Sequence, residues 1–240
     1  DTQAITVTVT PVNDNYPVII SNDGGATAAI NVAENMNAVT TVTAADADLP
    51  AQMLVYSISG GVDMAKFTIN SSTGVLTFIT APNYDVPTDN GSDNVYNVTV
   101  QVTDGTFTDT QDIAVTVTPV NDNSPVITSN GGGATATIHV AENTNAVTTV
   151  AATDADLPAQ TLVYSIGGGA DMAKFTINSS SGVLSFITAP GYDGPTDSGN
   201  DNVYNVTVQV TDGTLIDTQA IAVSVTNVDE SPTANAGGPY

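Results

Sequence analysis

The chain has 240 residues and carries 22 Asp and 3 Glu against 2 Lys and no Arg, a formal charge of −23. No basic patch is available to displace counterions, so nucleic acid and anionic membrane surfaces are poor partners, and no run approaches the roughly 20 apolar residues of a membrane helix. With no cysteine there are no disulfides or thiolate metal sites, and carboxylates within about 8 Å of one another repel unless a divalent cation or a proton intervenes.

In chain order, Thr2 to Thr10 alternates apolar and polar residues and matches Thr110 to Thr118. Residues 1–15 are therefore expected to be the last strand and linker of a truncated preceding repeat, and the chain to be a piece of something longer. Ile30 to Val32, Val39 to Thr43, Leu54 to Ile58, Phe67 to Ile69 and Val75 to Ile79 are short β-branched runs. Asn97 to Val102 and Ile113 to Thr118 exchange apolar and polar side chains at every residue, as half-buried strands do. Turn clusters such as Asn22-Asp23-Gly24-Gly25, Ser59-Gly60-Gly61 and Ser71-Ser72-Thr73-Gly74 separate them. No segment has a helical period. About seven short strands in roughly 100 residues predict an all-β fold, a Greek-key sandwich of the immunoglobulin type.

The same block then occurs again 108 residues on. Val12-Asn13-Asp14-Asn15 returns as Val120-Asn121-Asp122-Asn123, Ala33-Glu34-Asn35 as Ala141-Glu142-Asn143, and Asp46-Ala47-Asp48 as Asp154-Ala155-Asp156. Thr103-Asp104-Gly105 likewise returns as Thr211-Asp212-Gly213. Roughly four-fifths of aligned positions are identical, which defines two tandem units. The predicted boundaries are 16–118 for the first repeat, 119–124 for a calcium-binding linker, 125–226 for the second repeat, and 227–240 for a linker and the start of a following domain. The last ten residues, 231–240, are similar to the opening of a PKD-type domain.

The acidic clusters fall at turns and not on strands, as the pieces of a hard-cation site shared between neighbouring units do; calcium is the first functional reading. Ala-Glu-Asn, Asp-Ala-Asp, a Tyr-Asp after a proline, Thr-Asp-Gly and Val-Asn-Asp-Asn-x-Pro, laid in that order, resemble the cadherin repeat, and the resemblance covers both units. The wording is most similar to cadherin-like repeats of large secreted bacterial adhesins. The resemblance implies calcium between consecutive domains, held by the lower rim of one, the linker, and the upper rim of the next.

At the complete junction, the resemblance assigns Glu34 and Asp85 from the first repeat, and Asp122 from the linker, with Asn121 and Asn123 adding amide or backbone oxygens. The second repeat supplies Asp154, Asp156 and Asp212. Calcium takes six to eight oxygens in irregular geometry, so this donor set suits it better than magnesium, and two to three ions are expected there. Two departures reduce the anionic ligands: Asn83 and Gly191 replace the first Asp of the family's Asp-Arg-Glu motif, and Pro119 and Asn227 replace the leading Asp of its linker motif. The resemblance also implies incomplete outer sites, partly occupied at most: Asn13, Asp14, Asn15, Asp46, Asp48 and Asp104 at one end, Glu142, Asp193, Asp229 and Glu230 at the other.

The remaining polar features have plainer readings. A further acidic loop, Asp89 and Asp93 with Asp197 and Asp201 in the second copy, is better read as turn chemistry than as an ion site. Lys66 and Lys174 are expected to contact Asp63 and Asp171. His139, the single histidine, builds neither a metal triad nor a nucleophile–base pair. Gly131-Gly132-Gly133 and Gly167-Gly168-Gly169 read as turns, since neither is followed by the helix and lysine of a phosphate loop. No acid–base pair stands out, so an enzyme is not expected. The leading expectation is a calcium-rigidified adhesion or extension segment of a secreted or cell-surface bacterial protein. Its partners would be like repeats in the parent chain, with homophilic contacts or polysaccharide beyond them. The alternative is a carbohydrate-binding accessory module of a secreted polysaccharide-degrading enzyme.

Overall fold

The computed structural model describes residues 1–230, and the chain divides into two units, one up to Val120 and one from Asn121. The PKD-like reading of 231–240 lies outside the described residues.

The first unit contains β1 (Val18–Ile19), β2 (Thr27–Ala33), β3 (Ala38–Thr41), β4 (Ala44–Ala45), β5 (Val55–Gly60), β6 (Phe67–Ile69), β7 (Val75–Phe78), β8 (Val95–Thr103) and β9 (Thr108–Thr118). β2-β9-β8-β5 form one sheet and β3-β7-β6 another, with β1 paired to β4. β8 and β9 are antiparallel from Val95↔Thr116 to Thr103↔Thr108, whereas β2 runs parallel to β9 from Thr27↔Asp112 to Ala33↔Thr118. The alternation in the sequence is the reason for the layers. Val98, Val100 and Val102 of β8 and Ile113, Val115 and Val117 of β9 point one way and are buried. They meet Phe67, Leu76 and Phe78 of the other sheet in one core. Each such side chain contributes roughly 1.5–3 kcal/mol on burial, so a chain nearly devoid of cations needs no ion pairs to hold this sandwich together.

Two large polar side chains inside the first unit, Tyr96 and Gln111, are paired. Tyr96 Oη accepts from Thr88 N at 3.2 Å, and the fully buried Gln111 donates to Gly25 O at 2.8 Å while accepting from Asn22 Nδ2 at 3.1 Å. In the Asn70 to Gly74 turn, Asn70 Oδ1 accepts the amides of Ser72 and Thr73. Gly74 closes it at φ +70, where a Cβ would stand 2.0 Å from Val42 O, so only glycine fits.

The second unit repeats the plan with β10 (Val126–Ile127), β11 (Thr135–Ala141), β12 (Ala146–Thr149), β13 (Ala152–Thr153), β14 (Val163–Gly168), β15 (Phe175–Ile177), β16 (Val183–Phe186), β17 (Val203–Thr211) and β18 (Ile216–Thr226). Its sheets are β11-β18-β17-β14 and β12-β16-β15, with β10 paired to β13.

Three features depart from the sequence reading. Gly167 and Gly168 end β14 at a register shift against β17, and only Gly169, at φ +107, is in a turn. The two-residue pairs β1–β4 and β10–β13 are too short for alternation to reveal. Thr2 to Thr10 carries the pattern of β9 but is assigned no strand, and Ile5, Val7 and Val9 are exposed. β9 is a strand because β2 and β8 flank it, and no described segment pairs with Thr2 to Thr10.

Candidate metal centre

At one rim of the second unit the loop after β13 presents Asp154 and Asp156. Asp154 Oδ1 accepts Asp156 N at 3.1 Å, an Asx turn that sets the two carboxylates on successive extended residues. Asp156 is only 2% exposed. It accepts Asn123 N at 3.2 and 3.3 Å, Asn123 Nδ2 at 2.6 Å and Gln160 Nε2 at 3.3 Å, pinning the linker to the rim. Asn123 Nδ2 also donates to the exposed Asp122 at 2.9 Å.

Asp212 follows β17 and accepts the amides of Thr214 and Leu215 at 2.7 Å each, in a turn closed by Gly213 at φ +109. Burial raises its pKa, but those amides and the Asn121 side chain outweigh burial and hold it below the ordinary Asp value. With its amide nitrogen turned to the carboxylates, Asn121 donates to Asp212 Oδ2 and Asp156 Oδ2 at 3.2 Å each and accepts from Gln160 Nε2 at 3.3 Å.

Asp154, Asp156 and Asp212 each place an oxygen within 4.8 Å of the other two. Each pair of charges at about 5 Å repels by about 1 kcal/mol in water and about 3 kcal/mol at an effective dielectric of 20. Asp154 Oδ2 is buried without a hydrogen-bond partner.

The first unit builds the same rim. Asp46 Oδ1 accepts Asp48 N at 2.9 Å, Asp48 Oδ2 accepts the amides of Asp14 and Asn15 at 3.2 and 3.0 Å, and the Asn15 side chain also donates to Asp48. That side-chain bond chiefly lowers the Asp48 pKa, against the opposing effect of burial. Asp104 accepts Thr106 N and Phe107 N at 2.6 and 2.7 Å, and these bonds outweigh burial and lower its pKa. Asn13 Nδ2 donates to Thr106 Oγ1 at 3.3 Å. Asn13 Oδ1, Asp46 Oδ2, Gln52 Oε1 and Asp104 Oδ2 are all buried without a partner.

The opposite rims are organised by the two buried glutamates. Glu34, 2% exposed after β2, accepts Val120 N at 2.7 Å and Tyr84 N at 2.8 Å. An Asp85 oxygen lies within 4.8 Å of one of its own. Glu142 accepts Val228 N and Tyr192 N at 2.9 Å each, and these amides hold its pKa below the usual Glu value. Asp193, Asp229 and Glu230 are exposed, with Glu230 accepting from Asn143 Nδ2 at 3.1 Å. Asn83, at the departure from the family pattern, accepts Val86 N at 2.9 Å and so caps its own turn.

The further acidic loop is built differently. Asp89 accepts Asp93 N and Asn94 N, at 3.0 and 3.1 Å, and Asp197 accepts Gly199 N, Asp201 N and Asn202 N. Asp63 accepts Asn90 N at 2.6 Å and Asn97 N at 2.9 Å, and Asp171 accepts Ser198 N and Asn205 N at 2.6 and 2.8 Å. This corrects the expected lysine contacts: backbone amides take both oxygens of Asp63 and of Asp171, inside the fold, where an ammonium would have to be desolvated.

Sequence reasoning missed Gln160, which reaches Asp156 from the loop six residues after the first Asp of its DxD pair, and Gln52 at the same place in the first unit, whose Oε1 is buried without a partner. Only their position on that loop could have signalled them.

Residues 28–120 match the family described as Cadherin domain. The chain consists of two tandem cadherin-type β-sandwich repeats, homologous to animal protocadherins. Human Protocadherin Fat 1 is 32% identical over 250 residues, covering 100% of this chain and 5% of that protein. Mouse Cadherin-related family member 3 is 30% identical over 184 residues, 73% of this chain and 21% of that protein. The chain thus spans a small part of the curated relatives it matches.

Among solved structures, the extracellular cadherin domains 3-6 of Protocadherin Gamma B2 superpose with a TM-score of 0.63 at 22% identity, over 92% of this chain and 53% of that one. Human Protocadherin-24 EC1-2 gives 0.64 at 19% identity, over 90% and 100%. At these identities the likeness is one of fold. Cadherin ectodomain repeats are extracellular, and they are typically calcium-binding segments of adhesion proteins. The donors here, all carboxylate, amide and carbonyl oxygens with several buried oxygens unsatisfied, fit a hard cation of that kind. No described helix is long and apolar enough to cross a membrane.

Proposed function

We propose that the chain is a calcium-rigidified adhesion or extension segment of a large extracellular protein. One observation carries the reading: at the rims built on Asp46, Asp48 and Asp104 and on Asp154, Asp156 and Asp212, buried oxygens of Asp46, Asp104 and Asp154 have no hydrogen-bond partner. A buried, unpartnered carboxylate oxygen costs several kcal/mol, and a bound cation removes that cost.

Calcium would be held by Glu34, Asp85, Asp122, Asp154, Asp156 and Asp212, with oxygens from Asn121 and Asn123. Support comes from the chain itself. Glu34 grips Val120, Asp156 grips Asn123, and only two residues separate them in sequence. Both ligand sets are therefore tied to one short segment, and two to three ions would neutralise their charge and stiffen it.

Residues 1–15 would end a preceding repeat, 16–118 and 125–226 would be the two repeats, 119–124 the calcium-binding linker and 227–240 a second linker and the start of another domain. Asp14, Asp46, Asp48 and Asp104 at one end, and Glu142, Asp193, Asp229 and Glu230 at the other, would be completed by those neighbours. The partners are like repeats of the parent chain. Composition alone supports a bacterial source, the relatives above being animal proteins.

Small-angle scattering of the chain in calcium and in EDTA tests the proposal. Chelation is expected to broaden the distribution of maximum dimensions, and identical profiles would overturn the rigidifying role.

A further inference from the structure

Asn-Gly occurs twice, at Asn90-Gly91 and Asn130-Gly131, and the two are held in opposite ways. At such a dipeptide the glycine, with no side chain to hinder it, can attack its neighbour. The Gly nitrogen bonds to the Asn Cγ, the Cγ–Nδ2 bond breaks, and ammonia leaves with the amide proton. Water then opens the cyclic imide at either carbonyl, giving aspartate or isoaspartate. No oxidant, reductant or enzyme is needed.

We propose that Asn90 is a self-deamidation site of the first unit and that the fold protects Asn130. Asn90 is exposed, and neither its side-chain amide nor the Gly91 N–H has a hydrogen-bond partner among the described residues. Gly91 sits at φ +135, a conformation that glycine adopts readily. The bonds nearby belong to its neighbours: Asn90 N donates to Asp63 Oδ1 at 2.6 Å, and Asp93 N donates to Asp89 Oδ2 at 3.0 Å. They anchor the loop while leaving both reacting groups open.

Asn130 is half-buried, donates from Nδ2 to Gln219 Oε1 at 3.2 Å and accepts from Thr148 Oγ1 at 2.9 Å, with Gln219 fully buried. Both bonds must break before Cγ can be attacked, which slows the reaction about tenfold or more. At the place of Asn90 the second unit has Ser198, followed by Gly199, whose N–H is already donated to Asp197 at 3.0 Å.

Reaction at Asn90 adds a carboxylate to a loop that already carries Asp89 and Asp93 and is anchored on Asp63. In the isoaspartyl form it also adds a main-chain carbon beside the amide that braces Asp63.

The test is to hold the intact chain in mildly alkaline buffer and follow its peptides by mass spectrometry, with isoaspartyl methyltransferase labelling. The Asn90 peptide is expected to convert from amide to acid and to accept methyl groups, with the Asn130 peptide about tenfold slower or more. Asn90→Ser is expected to abolish early methyl acceptance, and Thr148→Val to speed conversion at Asn130. Conversion of Asn130 ahead of Asn90 would overturn the proposal. So would an unchanged Asn90 over the time in which the free peptide Asp-Asn-Gly-Ser converts.

Discussion

Two acidic regions recur in each unit, and they differ in what completes them. Around Asp63 and Asp89 the carboxylate oxygens accept backbone amides, so the fold itself neutralises the charges by dipoles. Around Asp46 and Asp104, and around Asp154, one oxygen of each carboxylate accepts an amide and the other is buried with nothing to accept. The lesson is that acidity alone marks neither region as a cation site. The unmet carboxylate oxygen does, because a buried charge without a partner is what a cation relieves; the unmet acceptors of the other region, Asn94 Oδ1 and Asn202 Oδ1, are neutral amide oxygens.

The sharpest way to break the contrast is to cut each region and vary calcium. Asp63→Ala strands the amides of Asn90 and Asn97 and should cost about 3 kcal/mol in urea unfolding, equally in calcium and in EDTA. A calcium-dependent loss there would erase the distinction. At a hundred times the dissociation constant, bound calcium stabilises the intact chain by about 2.7 kcal/mol. Asp156→Ala should lose most of that gain in a thermal melt, and an undiminished calcium response would remove Asp156 from the site.

Acid separates the regions further. Asp89 and Asp197 have folded pKa values below those of the unfolded chain: burial opposes the shift and their backbone amides outweigh it. The folded state therefore binds fewer protons than the unfolded state. Their stabilisation is present above about pH 4 and is lost as pH falls through the depressed values. In EDTA, pH-dependent melts should show that loss in the wild type and less of it in Asp89→Asn.

Gln160→Ala should act more gently, weakening calcium affinity about tenfold by freeing Asn121 and Asp156, with little effect in EDTA. Lys66→Ala should change stability by less than about 0.5 kcal/mol, because Asp63 is satisfied without it.

Much of the sandwich is legible in the sequence. The alternation in Asn97 to Val102 and Ile113 to Thr118 places β8 and β9 and names the core face, because a half-buried strand has a period of two. Yet Thr2 to Thr10 has the same pattern and forms no strand, since pairing partners complete what alternation only permits. The rim carboxylates were legible as a set through their order along the chain. That Asp48 and Asp156 are satisfied while Asp46 and Asp154 each keep an unmet oxygen was not, because the amides that reach Asp48 and Asp156 come from linker residues such as Asn15 and Asn123, 33 residues away. Lys66 fails for the same reason: Asp63 is close in sequence, but its partners come from Asn90 and Asn97. Gln52 and Gln160 carry no charge to draw the eye.

The most direct measurement is a calorimetric titration of the metal-free chain with calcium, alongside the chain carrying Asp154→Asn, Asp156→Asn and Asp212→Asn. The account predicts saturable binding in the millimolar to sub-millimolar range that the triple substitution abolishes or greatly weakens. Equal binding by both proteins, or no heat from either, would contradict it.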